Sequence, residues 1–173
     1  MTIETGIELR QLGASEVLAQ RDEVSEIWPD ASRSRIDEIL PRHVTREGFR
    51  FFGAFADERL VGFVYGYRGG SGQWWHDRVA YALGPDGTER WLASGHFEFT
   101  ELHVRPEFRR RGIGGSLHDR VLEGIEAPTA VLSTQTDNEP ALALYHARGW
   151  QVIVPFLDFG SGRPFLIMGI DLR

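Results

Sequence analysis

The chain has 173 residues, is 42% hydrophobic and carries 5 tryptophans and 11 phenylalanines, enough apolar side chain for one substantial core without covalent staples. It contains no cysteine, which excludes disulfides, thiolate metal sites and a cysteinyl acyl-enzyme, and no lysine, which excludes Schiff-base chemistry and a P-loop lysine. A formal net charge of -6 argues against broad nucleic-acid binding, and Arg109, Arg110 and Arg111 form the one basic cluster.

Met1 to Gly6 lacks the basic-then-apolar pattern of a secretory leader, and no apolar run approaches the about 20 residues that span a bilayer. With no cysteine to oxidise, the expectation is a cytoplasmic, membrane-free protein.

Ile7 to Leu12 alternates apolar and polar side chains as a half-buried strand does, and Ser15 offers an N-cap for a helix carrying Val17, Leu18, Val24, Ile27 and Trp28, stopped by Pro29. A second amphipathic helix starts near Arg33, with Ile36, Ile39, Leu40 and Val44 on one stripe and Gly48 closing the segment. Phe49 to Ala56 and Leu60 to Tyr67 flank the polar turn Asp57, Glu58, Arg59 and read as an antiparallel hairpin. Ser71 to about Gly95 reads as a helical insert with a turn at Gly84, Pro85, Asp86, Gly87.

Phe97 to Val104 reads as a strand, Gly112 to about Ile125 as a helix and Ala130 to Thr134 as a strand, a βαβ order. Pro140 sits where a further helix begins and Gly149 where it closes, and the strands Gln151 to Phe159 and Pro164 to Asp171 flank the turn Gly160, Ser161, Gly162. The pattern predicts a single α+β domain over residues 1–173, with the helical insert at about 71–95.

The chemistry is concentrated in Val104, Arg105, Pro106, Glu107, Phe108, Arg109, Arg110, Arg111, Gly112, Ile113, Gly114, Gly115, where a strand passes through a glycine-rich turn into a helix. Glycines have no Cβ to block a close approach, and the first-turn N–H groups of a helix have no internal partner, so the segment is suited to a pyrophosphate. The glycine spacing is neither G-x-G-x-x-G nor G-x-x-x-x-G-K-[ST], which disfavours dinucleotide and P-loop readings. Three adjacent charges are ordinarily a solvated patch; with the glycines beside them, phosphate binding is the better reading.

Arg109, Gly112 and Gly114 match [Q/R]-x-x-G-x-[G/A], and the segment resembles the acetyl-CoA signature of the GNAT family of N-acetyltransferases. Asn138, Ala141, Leu144, Tyr145, Gly149 and Trp150 match that family's second pattern, N-x-x-A-x-x-[LF]-Y-x-x-x-G-[FW], and the predicted elements follow the family's order nearly throughout.

The resemblance implies the GNAT fold, a central mixed, mostly antiparallel sheet of about six to seven strands with flanking helices. It implies acetyl-CoA as co-substrate, no metal, and direct transfer of the acetyl group to a primary amine of a small molecule or peptide in a ternary complex. The cofactor-binding positions are then Leu102, His103, Val104, Arg109, Arg110, Arg111, Gly112, Ile113, Gly114, Gly115, Ser116, Asn138 and Tyr145, with Leu102 and Val104 on pantetheine.

Direct transfer needs a base, an N–H donor for the oxyanion and an acid for the thiolate. Tyr145 falls where the family's tyrosine lies beside the CoA sulfur and is the candidate acid. Glu98 matches a position from which some members present a glutamate, and Glu101 follows on the same strand; a main-chain N–H near Val104 is the expected oxyanion donor. Strand alternation puts Glu98 and Glu101 on opposite faces unless a bulge intervenes, and His103 and His146 are further candidates.

Taken singly, Asn138 reads as a helix cap, Tyr145 as core and either glutamate as a salt-bridged strand residue; their joint spacing favours function. The 71–95 insert departs from the family's minimal plan and is expected to wall the acceptor pocket through Trp74 or Trp75, with Trp28 and the first helices as the other wall. An acyl-CoA-binding module without turnover and transfer to a hydroxyl are the alternatives, and a homodimer is compatible with the sequence.

Overall fold

The computed structural model describes residues 5–29 and 31–173; Met1 to Glu4, part of the segment read as lacking a leader, and Asp30 lie outside the described residues. Along the chain run β1 (Ile7–Leu12), α1 (Ala14–Ala19), α2 (Arg21–Ile27), α3 (Arg33–His43), β2 (Arg50–Ala56), β3 (Arg59–Gly69), α4 (Trp74–Trp91) and β4 (His96–Val104). A 3-10 turn (Pro106–Phe108), α5 (Ile113–Leu122), β5 (Thr129–Gln135), α6 (Glu139–Ala147), β6 (Gln151–Asp158) and β7 (Pro164–Asp171) complete it.

The strand order is β1-β2-β3-β4-β5-β7-β6. The β4–β5 pair is parallel, while β1–β2, β2–β3, β5–β7 and β6–β7 are antiparallel, a mixed, mostly antiparallel seven-stranded sheet with flanking helices, as the resemblance implies.

Two compact units divide the chain: Met1–Tyr67 with Thr100–Gly124, and Arg68–Phe99 with Ile125–Arg173. The first unit is organised around aromatic side chains. Phe51, Phe63 and Tyr65 alternate onto one face of the β2–β3 hairpin, are fully buried and stack on one another, with Phe51 and Phe63 centroids 5.5 Å apart. The hairpin turn holds Asp57 and Glu58 at φ 47° and 65°, the left-handed geometry that matches strand twist, here achieved without glycine.

Where one helix was expected from Ser15 to Trp28, the chain forms two. Gly13 caps α1 and its N–H donates to the Glu16 carboxylate at 3.1 Å, so Ser15 lies inside the helix rather than at its cap. Starting at Ala14 puts Val17 wholly in the core, and Gln20, at φ -90° and ψ 6°, turns the chain into α2 so that Val24 and Ile27 also reach it. Three helices therefore follow β1, the third capped by Ser32, whose hydroxyl accepts from Arg35 N–H. That helix gives way at Val44, short of Gly48.

In the second unit α4 is the expected insert, kinked at Gly84, whose φ of 71° and ψ of -179° break the helix just before Pro85. The insert packs on the sheet: Trp91, Val79 and Leu92 cluster with Val131, Val154 and Ile167, and a Cβ on Gly169 would lie 2.7 Å from the Trp91 ring. The helix α5, in the first unit, ends at Leu122 rather than near Ile125, because Gly124 turns away at φ 73°.

Candidate active site

In the first unit, β4 delivers its last residues to the glycine-rich turn. Arg109 Nε donates to the Val104 carbonyl at 3.0 Å and Arg111 Nη2 to the Glu107 carbonyl at 2.9 Å, so two of the three arginines brace the loop. The Arg111 guanidinium also lies over Phe108, 5.0 Å from the ring centroid. Arg110 is held at φ 60° and Gly112 at φ 78°, and Gly112 is the N-cap of α5. Its carbonyl accepts from Ser116 N–H at 3.1 Å, which leaves the N–H groups of Ile113, Gly114 and Gly115 as the helix start that no intrahelical carbonyl can satisfy. Ile113 is buried, whereas Gly114, Gly115 and Ser116 are half-buried. A Cβ at Gly62 would lie 3.1 Å from the His103 carbonyl oxygen and 3.4 Å from Ile113 Cγ2, so the bare glycine on β3 lets this strand end and α5 sit close.

Leu102, Val104, Glu101 and His103 are all half-buried. Glu101 and His103, two residues apart and so on one face, bond to each other: Glu101 Oε2 lies 2.6 Å from His103 Nε2. Trp28, at the C-cap of α2, stacks on the His103 ring at 5.9 Å and 26°, and Phe63 closes on it at 5.6 Å. Of the two walls suggested by the sequence, the one carrying Trp28 therefore belongs to the surroundings of Glu101 and His103. A second polar group lies deeper in the same unit, where His43 Nδ1 is 2.9 Å from the Tyr65 hydroxyl. Burial, helped by Arg46 and Arg42, pushes His43 down to about 4.

In the second unit, β4 and β5 run in register His96↔Thr129, Phe97↔Ala130, Glu98↔Val131. Paired residues of a parallel ladder share a face, so His96 and Glu98 lie on the face with Thr129 and Val131, which α4 covers. There Thr129 Oγ1 donates to the Trp91 carbonyl at 2.8 Å, Trp75 Nε1 donates to Ser133 Oγ at 3.1 Å, and His76 stacks on His96. Glu98 is 3% exposed. Phe99 opens to the opposite face and meets Tyr145 and Trp150 edge-on at 5.9 and 5.8 Å. The candidate acid Tyr145, 7% exposed on α6, and Glu98 therefore occupy opposite faces of these strands.

Asn138 caps α6, its side chain accepting from Ala141 N–H at 3.3 Å, and is exposed. His146 is exposed in the last turn of α6. The sequence reading missed His76, His96, Ser133 and Arg105 as neighbours of these groups. Nothing local marks them, since each acquires its partner from a distant segment. Among the described residues no group of three or more His, Cys, Asp or Glu side chains is placed to hold a metal ion, and no helix is long and apolar enough to cross a membrane.

The family model described as Acetyltransferase (GNAT) family matches residues 16–150, a span holding α2 to α6, the glycine-capped α5 and the Asn138-to-Trp150 pattern. The chain belongs to the GNAT acetyltransferase family. Among GNAT proteins it is 37% identical over 121 residues, 65% of its length, to the GCN5-like protein acetyltransferase Rv2170 of Mycobacterium tuberculosis (strain ATCC 25618 / H37Rv), and the aligned stretch spans 59% of that relative's own length.

Solved GNAT structures share the fold. The ribosomal-protein-S18-alanine N-acetyltransferase of Escherichia coli matches with a TM-score of 0.64 at 14% identity, over 96% of this chain and 94% of that one. Arabidopsis thaliana NAA60 in complex with acetyl-CoA matches with a TM-score of 0.69 at 18% identity, over 95% and 99%.

Proposed function

We propose that this GNAT protein is an acetyl-CoA-dependent N-acetyltransferase whose acceptor is a primary amine of a protein or peptide. The observation that carries the reading is the left-handed Gly112 cap that opens the start of α5 at the end of the turn following β4. Cβ-free backbone at Gly112, Gly114 and Gly115 and the unsatisfied first-turn N–H groups fit a pyrophosphate, and the α5 dipole favours its charge. Arg110, exposed on the same turn, adds a guanidinium, while Arg109 and Arg111 hold the loop in shape. The name of the 37% identical relative, a protein acetyltransferase, supports a protein amine over a free small amine.

Acetyl-CoA supplies an activated thioester; the residues of this chain bind it, orient the acceptor and move protons. The base is assigned to the Glu101–His103 pair. With the carboxylate accepting from Nε2–H, the lone pair rests on Nδ1, where it can take the proton of the attacking amine. As the C–N bond forms and the C–S bond breaks, a main-chain N–H near Val104 is the proposed donor to the thioester oxygen, and Tyr145, by its match to the family's second pattern, the proposed acid for the departing thiolate. Glu98 is the rival base.

The reading is tested by calorimetric binding of acetyl-CoA, followed by thiol release against a panel of peptides and small amines. Binding with turnover on peptides is the expected result. Turnover on small amines alone overturns the acceptor class, and binding without turnover would make the chain an acyl-CoA-binding module instead. His103→Gln and Glu98→Gln separate the two bases, because the assigned one loses kcat by about a hundredfold or more while the other keeps it.

A further inference from the structure

Arg105 is a buried cation that the proposed chemistry does not use. It is 7% exposed, sits between the last residue of β4 and the 3-10 turn, and is fixed at three points of the first unit. Its N–H donates to the Val61 carbonyl at 2.8 Å, its Nε to the Leu60 carbonyl at 2.8 Å, and its Nη2 to Glu26 Oε2 at 2.9 Å, with Glu23 Oε1 at 3.9 Å. The first two bonds tie it to β3; the third and fourth contacts reach α2.

The helix so held carries Trp28 at its C-cap, two residues beyond Glu26, and Trp28 is the ring that stacks on His103. A helix as short as α2 has little stability of its own, and its orientation depends on what docks it. Trp28 also packs on Phe63 and Tyr65, with ring centroids 6.3 Å away in each case, so the placement of its ring over His103 follows the placement of α2.

We infer that Arg105 is a positioning residue, which docks α2 through Glu26 so that Trp28 holds the His103 imidazole in its bond to Glu101. This rests on the assignment of that pair as the base. Lysine cannot replace Arg105 here, because a single ammonium cannot reach a β3 carbonyl and the α2 carboxylate in the same fork. The titratable and charged groups on the elements packed around His103 include Glu101 on its own strand, Arg105 beyond it, Arg21, Asp22, Glu23 and Glu26 on α2, and the Tyr65 phenol on β3, itself bonded to His43 of α3.

The test compares Arg105→Lys and Glu26→Gln with the parent protein, measuring acetyl-CoA affinity, acceptor kcat and KM, and the pH profile of kcat/KM. Glu26 is largely exposed, so Glu26→Gln leaves the core intact and keeps the test open even where the Arg105 variant folds poorly. Both are expected to lower acceptor kcat/KM by about tenfold and to move the acid limb of its pH profile, with acetyl-CoA affinity held within about twofold. In a His103→Gln background Glu26→Gln should add no further loss, which a merely structural role would not produce. The inference is overturned if Glu26→Gln keeps the parental profile, or if its loss persists undiminished once His103 is gone. The underlying base assignment fails separately, by full activity of His103→Gln alone.

Discussion

The imidazole of His76 on α4 stacks on that of His96 on β4, with ring centroids 5.3 Å apart and planes 25° apart. His96 is wholly buried, and desolvation, reinforced by His76 and Arg68, pushes it down to about 4. The folded protein thus refuses a proton that the unfolded chain accepts near its ordinary value of 6.5. Stability is full above that value and is lost as pH falls from it toward 4, by up to about 1.4 kcal/mol per pH unit for this ring. His43, lowered to about 4 in the other unit, acts in the same window and with the same sign. Urea midpoints between about pH 7.5 and 4 should fall accordingly, and His96→Leu should flatten part of the slope. A midpoint independent of pH across this window would refute the account.

The same stack depends on a glycine across from it. A Cβ at Gly69 would overlap the His96 ring, which has no space to retreat because it is fully buried. Gly69→Ala is expected to destabilise the protein by about 1–3 kcal/mol, measured by chemical denaturation, and His96→Ala should relieve much of that loss when combined with it.

Gly112 is held at φ 78°, a conformation that a Cβ disfavours by about 1–2 kcal/mol. Gly112→Ala should therefore disturb the start of α5 and weaken acetyl-CoA binding by about tenfold or more, read directly by calorimetry. A folded variant that binds as tightly as the parent would remove the α5 start from the binding site.

Tyr145 is packed edge-on against Phe99, so Tyr145→Phe keeps the ring in place and removes only the hydroxyl. If that hydroxyl protonates the thiolate, kcat falls by about a hundredfold with acetyl-CoA affinity unchanged. The loss should shrink with an acyl donor whose leaving group is less basic, and an equal loss with both donors would assign Tyr145 a packing role.

Trp75 bonds Ser133 on the face that carries Glu98, whereas Trp74 is 60% exposed and leans on Phe159. If the insert walls the acceptor pocket, Trp75→Ala raises acceptor KM by about tenfold and spares acetyl-CoA affinity, while Trp74→Ala changes either by less than about twofold. Steady-state kinetics with a peptide acceptor separate these outcomes.

Much of this was legible in the chain because it is local. The passage from β4 through Gly112 into α5, the Asn138 cap with Pro140 behind it, and the Gly84-Pro85 break each depend on the φ range or hydrogen-bonding capacity of residues a few positions apart. The alternation along β4 likewise put Glu98 and Phe99 on opposite faces, as the ladder to β5 and the Tyr145 contact have them. The split of α1 from α2 escaped that reading because no glycine or proline marks Gln20 as a break, and the turn there serves the burial of Val17, Val24 and Ile27, which only the packed core decides.

The pairing of side chains from distant segments was decided by the tertiary structure alone. Arg105 meets Glu26 across 79 positions and Trp75 meets Ser133 across 58, while His96 finds its ring partner on the insert. No propensity encodes such meetings. A buried guanidinium or imidazole takes whichever partner the packed core brings within reach, and that is settled only when the strands and helices have docked. The sequence by itself determined that a glycine-capped helix follows the fourth strand; only the fold decided that Glu101, His103 and the Trp28 ring meet one another.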